Sequence, residues 1–211
     1  MRKLKLWGGV ALVAVVIAAG LWAVWQFELR WRPTTITRHQ PEITRLIESA
    51  GWVSPGLNGS KLYTVAYGGC TECTRFMREE FPKLQAEGVD TRVIMIARRD
   101  RNGLAQSTAA ERATVAQLWL NRDPALLERW QAEPAETWKA LGVPSVEGDM
   151  ARMAVVEAGR STVDRLEPLL KDNGVEFAYP LLVWWNPKGE MRACACDHPQ
   201  TSRFVRRDLG A

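Results

Sequence analysis

Two cysteines separated by Thr71 and Glu72 stand where a β-type run gives way to a helical one, in the stretch YGGCTECTRF (67–76). Upstream, KLYTVAY (61–67) is mostly apolar and rich in β-favouring residues, which suits a strand buried on both faces. Gly68 and Gly69 break the run. Beyond Cys73, residues Phe76, Met77, Phe81 and Leu84 recur at helical spacing to about Ala86; Pro82 is expected to bend this helix and Gly88 to close it. A second strand is expected over TRVIMIA (91–97). The order strand, dithiol, helix, strand puts the C-x-x-C at a helix N-terminus. There the first sulfur meets unpaired backbone N–H groups and the positive end of the helix dipole, both of which favour thiolate over thiol. Cys70 is therefore the expected nucleophile, and Cys73, one turn inward, the thiol that resolves a mixed disulfide. Zinc half-sites use the same spacing, so the motif by itself leaves a metal reading open.

A second feature divides the chain. Residues 6–27 (LWGGVALVAVVIAAGLWAVWQF) are uncharged throughout. As a helix this run spans about 33 Å, enough for a bilayer's hydrocarbon core. Trp7 lies at one end and Trp22, Trp25 and Trp31 at the other, where amphipathic rings favour the membrane interface. The basic residues Arg2, Lys3 and Lys5 favour a cytoplasmic segment 1–5, followed by a transmembrane anchor. A cleaved signal peptide ending near Ala18-Ala19-Gly20 is the competing reading, and the apolar run continues past that point. Both readings export the remainder to a compartment where disulfides persist, and an anchored chain would be single-pass in the inner membrane with its body in the periplasm. Three of the four net positive charges belong to the leader, so no basic field for nucleic acid remains.

Residues 28–60 read as a linker with one short helix around Ile43, Leu46 and Ile47, and the domain is expected to occupy 61–211. A helical insertion is expected over about 104–172. Its signals are the Thr108/Glu111 capping pair and Asp123-Pro124 as N-cap and first helical position. Its tryptophans are read as core. Then LLVWW (181–185) and a strand over 190–196 flank the turn Asn186-Pro187-Lys188-Gly189. A short helix over about 200–207 ends the chain, with Arg203, Arg206 and Arg207 on its solvated face.

Tyr179-Pro180 precedes a strand in which an ordinary ladder position needs its N–H, which signals a special turn and suits a cis bond. With Gly51-Trp52-Val53 ahead of the first strand and GVEFAYP (174–180) ahead of the hairpin, the chain resembles the thioredoxin superfamily. More narrowly it resembles the catalytic domain of DsbC/DsbG-type thiol:disulfide interchange proteins. The resemblance implies a thioredoxin-like α/β fold with a helical insertion, thiol–disulfide oxidoreductase or isomerase activity, and no cofactor. It further implies a cis Pro180 against Cys70 and substrate binding at Tyr179 and Pro180. Its partners would be exported proteins with cysteines and a membrane or periplasmic electron donor. Two departures stand out: Tyr179 is bulky where the family carries a small residue, and the linker is too short for the family's dimerisation domain.

Glu72 is the third. A carboxylate beside a thiolate opposes its charge and raises the thiol pKa, favouring reductase or isomerase poise over strong oxidase poise; Arg75 offsets part of this. Cys194 and Cys196 lie outside the family pattern. A turn at Pro187-Lys188 sets position 180 opposite 195, within one residue, and so brings this pair beside the edge that faces Cys70. Three readings stay open: a second redox pair exchanging with Cys70–Cys73, a four-thiolate zinc or copper(I) site with His198 as spare ligand, or an inert pair. In a regular strand, Cα atoms two residues apart are about 6.6 Å apart, near the upper limit for a disulfide, so a bond here asks the strand to end early. A non-catalytic envelope assembly or binding module is the alternative function.

Overall fold

The computed structural model describes residues 15–211, which divide into two compact units between Arg32 and Pro33. The described part of the first unit is helical over residues 15–24 and continues as a π-helix at Trp25–Leu29. Val15, Ile17, Leu21, Trp22 and Phe27 are each more than half exposed. Among the described residues no helix is long and apolar enough to cross a membrane, and the expected anchor over 6–27 falls partly outside them.

The second unit is built on a six-stranded sheet. In chain order its elements are β1 (Thr34–Thr35), α1 (Gln40–Ser49), β2 (Trp52–Val53), β3 (Lys61–Tyr67), α2 (Thr71–Ala86) and β4 (Asp90–Ile96). Then come α3 (Ala109–Asn121), α4 (Pro124–Ala132), α5 (Met150–Lys171), β5 (Leu181–Trp185), β6 (Met191–Ala195) and α6 (Pro199–Leu209). The sheet order is β1-β6-β5-β3-β4-β2. β3 and β4 are parallel, joined by α2, and every other pair is antiparallel. A parallel β-α-β unit followed, after an insertion, by an antiparallel hairpin and a closing helix is a thioredoxin-like arrangement.

Strand alternation sorts the core into two layers. Leu62 and Ala66 of β3, Met95 of β4, Leu182 and Trp184 of β5 and Cys194 of β6 join one apolar cluster with α2, α3, α4 and α6. Tyr63, Val65, Ile94, Val183 and Ala193 point the other way, into a cluster with Ile43 and Ile47 of α1 and Leu166 and Leu170 of α5. Trp119 of α3 packs against both layers, and its indole N–H donates to the Met95 carbonyl at 2.8 Å, tying the insertion to the sheet.

One boundary differs from the sequence reading. The stretch expected as linker holds, besides the expected short helix α1, the strands β1 and β2, and the compact unit begins at Pro33. Both strands hold only two residues, too few for alternation to register, and their pairing with β6 and β4 is made across the chain. α2 runs through Pro82 as one helix. The capping signals hold: Thr108 and Glu111 form a reciprocal capping box on α3, and Asp123 caps α4.

Candidate redox site

Cys70 is the N-cap of α2. Its Sγ accepts from the Cys73 backbone N–H at 3.1 Å, so one of the orphan donors of the first turn is directed at the sulfur. The two cysteines are disulfide-bonded with Cα atoms 5.2 Å apart, and both are buried, Cys73 completely. The helix starts here because the two glycines before it let the chain turn sharply. Gly69 has φ +73°, a region L residues enter with difficulty. Gly68 has no room for a Cβ: one would stand 2.5 Å from Glu111 Oε1 and 2.7 Å from the Trp130 ring. The insertion therefore presses on the turn that delivers Cys70.

Glu111 and Trp130 are thus neighbours of the site that sequence reading placed only as a cap and as core. Burial raises the Glu111 carboxyl above its usual range, opposed by its hydrogen bond from the Thr108 N–H and by the charges of Arg98 and Arg112. Sequence reading took Gly68-Gly69 only as the end of the strand, although a glycine also marks places where another element approaches the backbone closely.

The Tyr179–Pro180 peptide is cis, as expected, and Pro180 is buried. Tyr179 packs edge-to-face on Tyr67 at 5.1 Å and on Phe177 at 5.4 Å, and the Arg98 guanidinium lies 4.0 Å over the Tyr67 ring. Burial, first of all, pushes the Tyr179 phenol well above its ordinary value. The bulk that sets Tyr179 apart is spent on this ladder. Beside the dithiol, a cleft of about 450 Å³ opens between α2 and the end of α4, lined by Tyr67, Gly69, Thr71, Met77, Trp130 and Glu136, among others.

The hairpin brings the second cysteine pair to the same end of the sheet. Leu181 pairs with Ala195 and Leu182 with Cys194, one residue from the register read off the turn. The Cys196 N–H donates to the Pro180 carbonyl at 2.9 Å. Cys194 and Cys196 are disulfide-bonded, with Cα atoms 5.2 Å apart across the point where β6 ends at Ala195. All four cysteines belong to one apolar cluster. Among the described residues no group of three or more His, Cys, Asp or Glu side chains is arranged to hold a metal. His198, weighed as a spare ligand, is the N-cap of α6, its Nδ1 accepting from the Gln200 N–H at 3.2 Å. Arg206, read as solvated, reaches across to Glu80 on α2.

Glu72 does not face the sulfurs bare. Its Oε2 is buried against Arg75 Nη2 at 2.5 Å, an ion pair without a directed hydrogen bond, although the side chain as a whole is 43% exposed. The same Nη2 donates to the Asp197 carbonyl at 2.7 Å.

A disulfide at the N-cap of the helix that joins two parallel strands, with a cis-proline ahead of the neighbouring antiparallel strand, is a thioredoxin-like arrangement. No protein-family model and no curated protein matches the chain. Among solved structures it is similar to BcfH of Salmonella enterica Typhimurium, at 12% identity over 99% of this chain and 91% of that one, with a TM-score of 0.48. It is also similar to the catalytic domain of Proteus mirabilis ScsC, at 14% identity, over 81% of this chain and 96% of that one, with a TM-score of 0.47. The thiol-disulfide exchange protein alpha-DsbA2 of Wolbachia pipientis gives 13% identity, 81% and 91% coverage, and a TM-score of 0.42. With these scores below 0.5, the fold assignment rests on the sheet order described above.

Proposed function

We propose that the protein is a thiol–disulfide oxidoreductase acting on disulfides of exported proteins, with Cys70 as nucleophile and Cys73 as resolving thiol. The observation that carries this reading is the Cys70–Cys73 disulfide at the N-terminus of α2, with Cys73 N–H on the Cys70 sulfur. In the reduced enzyme the Cys70 thiolate attacks a substrate disulfide, forming a mixed disulfide and releasing one substrate thiolate. The Cys73 thiolate then attacks the Cys70 sulfur, closing Cys70–Cys73 and releasing the second substrate thiol. Two electrons pass to the substrate, and a dithiol donor in the membrane or periplasm returns them. Tyr179 and Pro180 serve as the substrate contact, with the cleft beside Gly69 and Thr71 receiving the polypeptide that flanks the disulfide.

The same reading takes residues 6–27 as a single-pass inner-membrane anchor and puts the unit Pro33–Ala211 in the periplasm, working as a DsbC/DsbG-type reductase or isomerase. Cys194 and Cys196 act as a second redox pair exchanging with the first. A Cys73→Ser chain, expressed in a host envelope, is expected to accumulate mixed disulfides that dithiothreitol releases, while Cys70→Ser accumulates none. Equal trapping by both variants, or by neither, refutes the assignment.

A further inference from the structure

The two disulfides are joined by more than the core they share. Arg75, on the second turn of α2, makes two contacts with the single nitrogen Nη2: Glu72 Oε2 at 2.5 Å and the Asp197 carbonyl at 2.7 Å. Glu72 lies between the sulfurs of the C-x-x-C, and Asp197 directly follows Cys196. On its other side the Cys196 segment holds the Pro180 carbonyl through the Cys196 N–H at 2.9 Å. Residues 196–197 therefore touch both elements of the redox site, the helix that carries Cys70 and the strand entry that carries the cis-proline. The Cys194–Cys196 bond ties this short segment to the end of β6.

The consequence is electrostatic. While the guanidinium sits on Glu72, the carboxylate's repulsion of a Cys70 thiolate is offset. The Arg75 side chain is 26% exposed, so Glu72 and the Asp197 carbonyl are what keep a long, flexible cation from swinging into solvent. We propose that Arg75 is a positioning residue that couples the two disulfides, reading the state of Cys194–Cys196 through the Asp197 carbonyl and setting the exchange equilibrium of Cys70–Cys73 through Glu72. When a dithiol donor reduces Cys194–Cys196, two electrons and two protons pass to the pair, giving two thiols and leaving the donor as its disulfide. Residue 197 is then loosened, Arg75 released and Glu72 uncovered, and the C-x-x-C becomes the more reducing centre. This rests on the oxidoreductase reading above and adds a regulator to it.

The test is the equilibrium of the Cys70–Cys73 disulfide with two glutathione thiols, giving the Cys70/Cys73 dithiol and one glutathione disulfide. It is measured on the full chain in detergent, by alkylation and peptide mass at Cys70 and Cys73. Replacing the second pair (Cys194→Ser with Cys196→Ser) is expected to lower the constant for reduction about threefold, the scale of one exposed ion pair. In an Arg75→Ala background that shift disappears. Arg75→Lys, with one ammonium nitrogen to make both contacts, retains it, which also guards against an Arg75→Ala chain that fails to fold. An equal shift with and without Arg75, or no shift in the native background, overturns the coupling while leaving the oxidoreductase reading intact. Failure of Cys70–Cys73 to equilibrate with glutathione at all removes that reading, and the coupling with it.

Discussion

The C-x-x-C and the C-x-C are built from the same residue type within one core cluster, and their backbones give them different surroundings. The first begins a helix, whose opening turn has N–H groups without intrahelical partners, and one of these points at the Cys70 sulfur. The second ends a strand, where the neighbouring donor is committed: the Cys196 N–H is spent on the Pro180 carbonyl. A helix start thus offers stabilisation to a thiolate, while a strand end offers a fixed place beside the cis-proline. On the proposed reading, this difference gives attack to Cys70 and control to the pair at the end of β6.

Removing each pair in turn is the strongest way to break this comparison. Cys70→Ser should reduce turnover of a peptide disulfide by about 10³-fold or more, the scale of losing a nucleophile. Replacing Cys194 and Cys196 together should reduce it by less than about tenfold, measured by stopped-flow fluorescence of the same substrate. Comparable losses would put the chemistry at both pairs equally.

A second contrast lies in how the two cysteine segments are packed. At Gly68 an added methyl would meet Glu111 Oε1 and the Trp130 ring, so Gly68→Ala should destabilise the fold by about 1–3 kcal/mol in urea unfolding. Ala195, only partly buried, should tolerate Ser within about 0.5 kcal/mol. A mild Gly68→Ala would mean that α3 and α4 yield easily at the redox turn.

The smallest expected effect concerns pH. Burial raises the Glu111 carboxyl in the folded protein, so the folded state holds this proton to higher pH than the unfolded chain does. Its contribution to stability is full below the unfolded carboxyl range and is lost as pH rises through the raised folded value. Glu111→Gln cannot ionise and should lack that decline, so the stability of the native chain relative to this variant should fall from pH 4 to pH 7 in urea titrations. A constant difference across the range would place Glu111 in contact with solvent.

Much of the site was legible in the chain because its signals are local. The β-rich run before Gly68-Gly69, the helical spacing after Cys73, the Thr108/Glu111 cap and the proline of Tyr179-Pro180 each lie within a few residues of what they specify. The hairpin register was readable to within one residue, since a tight turn fixes which positions face each other. The two-residue strands β1 and β2 were not, because pairing with β6 and β4 is their whole definition.

The sequence by itself determined that a dithiol opens a helix after a buried strand, that a special proline starts the hairpin, and that a second cysteine pair falls near it. Only the tertiary structure decided what surrounds them. The pressure of Glu111 and Trp130 on Gly68, the packing of Tyr179 on Tyr67, and the reach of Arg75 to the Asp197 carbonyl join residues from 43 to 122 positions apart. Such contacts depend on which helix lies over which strand, and spacing along the chain carries no record of that.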